Sequence, residues 1–162
     1  MLTLICALDR QRAIGFEGRM LFRLRADLQR FKALTSGHTV IMGRKTFDSL
    51  PKGALPNRRN FVISRSLTEA PAGTYLFHSL EDALQAAGDT EEIFIIGGSS
   101  VYEATLPMAD RLCLTHIHAT APHADVFFPE IDETQWNCTF REDYPADAQN
   151  EQPFTFADYI RL

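Results

Sequence analysis

Basic residues, cysteines and long apolar runs are all scarce in this chain. Across 162 residues, 16 Lys and Arg face 21 Asp and Glu, leaving a net charge of −5. Non-specific nucleic-acid binding runs on a basic surface, so no nucleic-acid partner is expected. A local basic pocket for a small anion is still allowed. Only three cysteines occur, Cys6, Cys113 and Cys138. So sparse and odd a set forms no disulfide framework and suits a reducing compartment, so a cytoplasmic location is expected. The N-terminal apolar stretch Leu2–Leu8 stops at Asp9 and Arg10. A membrane span needs roughly 18 apolar residues, and no basic segment precedes this one, so neither a span nor a signal peptide is expected. What remains is ordinary in amount: 45% of residues are apolar and 23% charged. A globular chain of this length buries roughly 70% of its extended surface without staples.

Apolar runs alternate with helical patterns. Leu2–Leu8, Val40–Met42, Asn60–Ser64, Glu92–Ile96 and Arg111–Ile117 read as strands, and their continuous β-branched character suits a sheet covered on both faces. Helices are predicted at about Arg25–Leu34, Arg44–Leu50, Ser79–Ala87 and Ser99–Leu106. Such β/α alternation predicts an α/β fold with a largely parallel sheet and right-handed crossovers. Near the C-terminus Trp136, Cys138 and Phe140 alternate with polar residues, as do Phe154, Phe156, Ile160 and Leu162. They predict two antiparallel strands at the sheet edge around a Tyr144–Pro153 loop. Two long irregular stretches, Asp9–Arg23 and His118–Thr134, have the length of functional loops.

Asp27 shares a helical stripe with apolar Leu24, Leu28 and Phe31. An acid on a core-facing stripe needs a partner. It either complements the helix dipole or waits in a pocket, its protonation tuned by burial, for a heterocyclic ligand. Ile96-Gly97-Gly98-Ser99-Ser100-Val101 carries a strand through two glycines into a helix. It either cradles a phosphate or makes a tight turn with a Ser N-cap. It matches neither of the G-x-G-x-x-G and G-x-x-x-x-G-K-[ST] motifs, nor a G-x-S-x-G elbow. In Met42-Gly43-Arg44-Lys45-Thr46, cations occupy a first helical turn where the dipole disfavours them. With Ser64 and Arg65 after the next strand, they form either a phosphate-monoester pocket or solvated surface charge. Arg58, beside Leu50 and Leu55, is either a carboxylate clamp or an exposed loop residue. His116 and His118 share a strand face, but no third ligand accompanies them and no metal is expected. Cys6, inside a strand, reads as a small buried hydrophobe.

Taken in order, these motifs resemble the dihydrofolate reductase family over nearly the whole chain. The likeness runs through Ala13-Ile14-Gly15, Asp27-Leu28, Val40 to Phe47, Leu55-Pro56-Asn57-Arg58, Ile96-Gly97-Gly98 with Val101-Tyr102-Glu103, Leu114-Thr115-His116-Ile117 and Ala124 to Pro129. The resemblance implies a single domain over residues 1–162. Its expected fold is a mostly parallel eight-stranded sheet with an antiparallel C-terminal hairpin and four flanking helices. It further implies NADPH-dependent reduction of 7,8-dihydrofolate to 5,6,7,8-tetrahydrofolate, sensitivity to antifolates and a monomeric state.

Carried onto these residues, the family pattern puts Asp27 on the amidine edge of the pterin, supported by Thr115, with Phe22 beside them. Ile5, Leu28, Phe31, Leu50, Leu55 and Ile96 would wall the cleft, with Cys6, Ala7 and Tyr102 adjoining. Arg58 would take the glutamate α-carboxylate. Gly43, Arg44, Lys45, Thr46, Ser64 and Arg65 would hold the dinucleotide. So would Ile96 to Tyr102, including Gly97, Gly98, Ser99, Ser100 and Val101. The Gly97–Gly98 bond would be cis. Ala7, Ile14, Gly15 and Met20 would border the nicotinamide, the Asp9–Arg23 loop closing over it. The chain departs from the pattern at Leu21-Phe22, where the family usually has Pro-Trp, and at Arg25, a frequent Pro; one extra residue falls around Pro51–Ala54. Phe22 keeps aromatic bulk and loses an indole donor. Two rival readings share parts of this pattern. Another pterin- or pyrimidine-pathway reductase of the same fold would share the nucleotide side without Asp27 and Arg58. A non-enzymatic nucleotide- or folate-binding module would bind NADPH without oxidising it.

Overall fold

The computed structural model describes residues 1–89 and 92–162. In chain order the strands and helices are β1 (Leu2–Leu8), β2 (Ala13–Gly15), α1 (Arg25–Thr35), β3 (Thr39–Gly43), α2 (Arg44–Ser49), β4 (Arg59–Ile63) and β5 (Thr74–Phe77). There follow α3 (Leu80–Ala87), β6 (Ile93–Gly97), α4 (Ser99–Thr105), β7 (Arg111–Ile117), β8 (Val126–Phe127), β9 (Trp136–Tyr144) and β10 (Phe154–Arg161). Eight strands form one sheet in the order β5-β4-β3-β6-β1-β7-β10-β9. The first six run parallel, and β10 and β9 close the edge antiparallel. The expected architecture is therefore present. Among the described residues no helix is long and apolar enough to cross a membrane.

Alternating side chains on the parallel strands feed two different layers. Leu4, Leu8, Ile41, Phe61, Ile95, Leu112 and Leu114 pack with Ala83 and Ala87 of α3 and Tyr102 of α4. Each such buried Leu or Ile contributes roughly 1.5–3 kcal/mol. Residues of opposite parity, Val40, Met42, Val62 and Phe94, pack with Ile5, Ile96, Leu50 and Leu55 instead. The first layer is sealed by helices; the second forms the floor beneath the site described below.

Several boundaries differ from expectation for local reasons. Ser79 is the N-cap of α3, accepting the Asp82 N–H at 3.1 Å, rather than its first residue. Ser64 lies beyond β4 and Glu92 before β6. α4 gives way at Leu106 to a single 3-10 turn ending at Met108, since Pro107 cannot supply a helical N–H. β5 is an additional strand, only four residues long and half exposed at the sheet edge. The two stretches expected to be irregular contain β2 and β8, which pair with each other in a second, two-stranded sheet. In β9 only Trp136 is buried. Cys138 is exposed and Phe140 is 41% exposed, because β9 is the sheet edge and its register shifts opposite Asp158/Tyr159.

Candidate active site

The first turn of α1 is capped from far away in the chain. Its N-cap, Leu24, supplies no side-chain acceptor. Instead Gln149 O accepts the Arg25 N–H at 3.2 Å and Asn150 Oδ1 accepts the Ala26 N–H at 3.0 Å. Asn150 is buried and donates through Nδ2 to Asp147 Oδ1 at 2.9 Å. With those orphan N–H groups served by the C-terminal loop, Asp27 is not needed as a cap. Its Oδ1 accepts the Thr115 hydroxyl of β7 at 2.5 Å, and no described residue donates to Oδ2. Burial raises the Asp27 pKa, opposed by the Thr115 hydrogen bond and by the positive charge of Arg30. The pocket reading of Asp27 is thus the one its surroundings favour.

Below this acid, Ile5, Leu50, Leu55 and Ile96 pack on the floor formed by Val40, Met42, Val62 and Phe94. Phe31 is half-buried. The stripe expected on α1 does not all face a core: Leu24 is 3% exposed but Leu28 is 48% exposed. Helix α1 is anchored at its ends, and Leu28 lies where no protein layer covers it. Arg58 donates through Nε to Pro56 O at 2.8 Å and through Nη1 to Thr35 Oγ1 at 3.1 Å, its guanidinium 5.9 Å from the Phe31 ring centroid. It is a fixed, partly buried cation, not a free loop arginine. Asn60 builds its platform: it is 1% exposed and bonds both Leu55 N and the carbonyls of Leu55 and Arg58.

Cys6 and Tyr102 turn their side chains into the other layer, with Leu4 and Leu114. Tyr102 still reaches the site's edge, its hydroxyl donating to Ile5 O at 2.7 Å. Burial raises both the thiol and the phenol, keeping them neutral. Phe22 packs with Ala7 and Ala26 against Leu24, Ile117, Phe154 and Phe156.

Beside the acid, β3 and β6 end together in bare backbone. The Gly97–Gly98 bond is cis. A Cβ at Gly43 would meet Val101 Cγ2 at 3.5 Å, and one at Gly97 or Gly98 would meet Thr46 Oγ1 at 3.3 or 3.4 Å. Side chains there would press on Thr46, Val101 or Tyr102, so the strand ends stay bare backbone, a cradle walled on that side by α2 and α4. The N-cap of α4 is Gly98, with no side-chain cap, so Ser99 and Ser100 do not play the capping role of the tight-turn reading. Arg44 Nη1 lies 3.3 Å from Ser66 Oγ, and Ser64 Oγ accepts the N–H groups of Ser66 and Leu67. Arg44, Ser64 and the exposed Lys45 and Arg65 therefore gather beside that cradle, as parallel neighbours β3 and β4 require. This set of bare glycines, hydroxyls and guanidinium groups fits an extended phosphorylated ligand.

The Asp9–Arg23 segment is tied down at both ends. Asp9, 4% exposed, accepts the N–H groups of Gln11 and Ala13 on Oδ1 and of Ala121 on Oδ2. Farther along, Asp125 donates its N–H to Gly15 O and accepts the Glu17 N–H at 3.0 Å. Ile14 is packed inside and Met20 is 64% exposed. His116 and His118 lie instead on a separate cavity of about 450 Å³ with Arg10, Arg12 and Glu130. Among the described residues no cluster of three or more metal-ligating side chains occurs. Sequence reasoning missed Asp9, Asn60, Asp125 and Asn150. Asp125 and Asn150 act on backbone groups more than a hundred positions away, which no spacing announces. Asp9 and Asn60 also bond backbone groups within five residues, a local Asx-type signal that residue type alone could have raised.

Comparison with known proteins gives the chain's relatives. A family model described as dihydrofolate reductase matches residues 1–161. The chain is 39% identical over 159 residues to the dihydrofolate reductase of Bacillus subtilis (strain 168), covering 98% of this chain and 94% of that protein. It is 40% identical over 161 residues to dihydrofolate reductase type 3 of Salmonella typhimurium, covering 99% and 98%. Among solved structures, the dihydrofolate reductase from Enterococcus faecalis complexed with NADP(H) and RAB-propyl superposes with a TM-score of 0.91 at 34% identity, over 99% of this chain and 96% of that one.

Proposed function

This chain belongs to the dihydrofolate reductase family, and from that premise we propose how its own residues divide the reaction. The activity is reduction of 7,8-dihydrofolate to 5,6,7,8-tetrahydrofolate with NADPH. NADPH, when bound, would supply the hydride, and the residues at the ends of β3 and β6 would hold it. Gly43, Thr46, Gly97 and Gly98 would accept its backbone closely, with Ser99, Ser100 and Val101 alongside, and Arg44, Lys45, Ser64 and Arg65 would hold a phosphate. Ala7, Ile14, Gly15 and Met20 would exclude water beside the reacting carbon.

The observation that carries the substrate side is the half-buried Asp27 carboxyl, held by Thr115 and open at Oδ2. An anion there favours the protonated pterin, the better hydride acceptor, and anchors its amidine edge. Asp27 orients and polarises; the proton itself would reach the imine nitrogen through water. Phe22 adds an apolar wall and no donor. Ile5, Leu28, Phe31, Leu50, Leu55 and Ile96 would line the cleft, with Cys6 and Tyr102 behind it. Arg58, already aimed by Pro56 and Thr35, would take the substrate carboxylate bidentately. Antifolates would enter the same cleft. The protein would act as a monomer of one domain in the cytoplasm, which its three free cysteines suit.

An absorbance assay of NADPH oxidation tests this reading. Oxidation should require dihydrofolate, and Arg58→Leu should raise the KM for dihydrofolate at least tenfold, a loss of about 1.5–3 kcal/mol, with the KM for NADPH unchanged. A variant with both KM values unaltered would remove Arg58 from the substrate side.

A further inference from the structure

We propose that Arg30 and Asp158, neither of them part of the cleft walls, act as a positioning pair that sets the charge felt at Asp27 and so the pH range in which the enzyme turns over. The inference rests on the role given to Asp27 above. Arg30 follows Asp27 by three residues on α1, so the two side chains neighbour each other on one side of the helix. Its Nη2 lies 2.7 Å from Asp158 Oδ1, and the two side chains are only 17% and 20% exposed. The guanidinium sits 4.7 Å from the Phe156 ring centroid and 5.6 Å from that of Phe140. Asp158 stands opposite Cys113 in the β7–β10 ladder, and Phe156 opposite Thr115. The pair thus fastens the Asp27 helix to β10, the strand paired with β7, and β7 carries Asp27's only hydrogen-bond donor among the described residues.

The charge environment is equally simple. Arg30 from its own helix, Cys6 from β1 and Tyr102 from α4 interact electrostatically with Asp27, and Thr115 from β7 donates a hydrogen bond. Thiol and phenol are neutral, so Arg30 is the one charged group of the set. Arg25, two residues before Asp27, is exposed. Arg111, near the other side of Asp158, is occupied by Thr3 at 3.0 Å and Glu92 at 3.4 Å. Arg30 favours the ionised carboxyl, and Asp158 offsets part of that field. In a partly buried site neither effect is fully screened.

Turnover should fall as rising pH strips the proton shared by the Asp27–pterin pair. Arg30→Met removes a positive charge, so the falling limb should move to higher pH. Asp158→Asn keeps the shape and removes a negative charge, so the limb should move to lower pH. Arg30→Lys keeps the charge and should leave the limb close to the parent's position. Both charge-removing variants break the same ion pair, so a merely structural role would change rate or stability in one direction and leave the limb in place. The measurement is kcat against pH for the full chain, with Asp27→Asn alongside. A limb that disappears in Asp27→Asn and shifts oppositely in the two variants supports the pair. A limb that disappears there but does not shift oppositely overturns the pair and spares Asp27. A limb that survives in Asp27→Asn at full turnover overturns the role of Asp27 itself, and the inference with it. Should Arg30→Met fail to fold, the Asp158→Asn shift read against an unmoved Arg30→Lys limb decides the matter.

Discussion

Two acids stand at the two ends of the Asp9–Arg23 segment, and they are partnered in opposite ways. Asp9, at its start, spends both oxygens on three backbone N–H groups. Asp27, just after its end, receives one hydroxyl and leaves Oδ2 to the cleft. A carboxylate saturated by backbone donors holds a fold together. One that is half-buried and under-partnered is kept for a ligand, and its protonation is adjustable. Asp9 is buried and Asp27 half-buried, but the number of donors separates the two cases most clearly.

The comparison can be broken most directly at Asp27. Asp27→Asn should cut dihydrofolate turnover about 10²-fold or more near neutral pH, while NADPH binding, followed by fluorescence titration, stays intact. The same variant should be more heat-stable than the parent in the absence of ligands. Burial raises the Asp27 pKa above its ordinary 3.8, so the folded chain holds that proton more tightly than the unfolded one. Stability is then fullest below 3.8 and declines as pH rises through the folded value, so the variant's advantage should grow across that window and vanish in acid. Thermal unfolding over a pH series would show it; a variant less stable than the parent at neutral pH would put Asp27 in the same class as Asp9.

Asp9→Asn should behave in the reverse sense. One amide NH2 must face a backbone N–H, so about 1–3 kcal/mol should be lost in chemical denaturation, with a far smaller effect on turnover than at Asp27. The smallest effect is expected at the distant cap of α1. Asn150→Ala should cost about 1 kcal/mol and raise the KM for dihydrofolate modestly, because the cap orients Asp27; Asn150→Asp, which keeps the acceptor but sets a second carboxylate against Asp147 Oδ1, should recover the KM and not the full stability.

Legibility in the sequence followed range. The parallel strands were visible because β-branched runs such as Ile93 to Ile96 need no partner to be recognised. Helix α3 was visible because Ser79 caps it locally. Strands β2 and β8 were hidden because two or three residues make a strand only when paired, and their partners lie more than a hundred positions apart. Within the site, Asp27, Arg58 and Gly97–Gly98 stood out by residue type. Leu28 shared the helical stripe but not its burial, which periodicity cannot foresee when a helix borders a cleft.

What the chain carries in its own order is the alternation of strands and helices, the acid on the α1 stripe and the glycines at strand ends. These depend on local chemistry: side-chain period, backbone freedom and charge. Folding alone decided which acid is saturated and which is open, that Asn150 caps a helix 124 residues upstream, and that Arg30 meets Asp158. Hydrogen bonds and burial are properties of neighbours in space, and nothing in residue type fixes who those neighbours are.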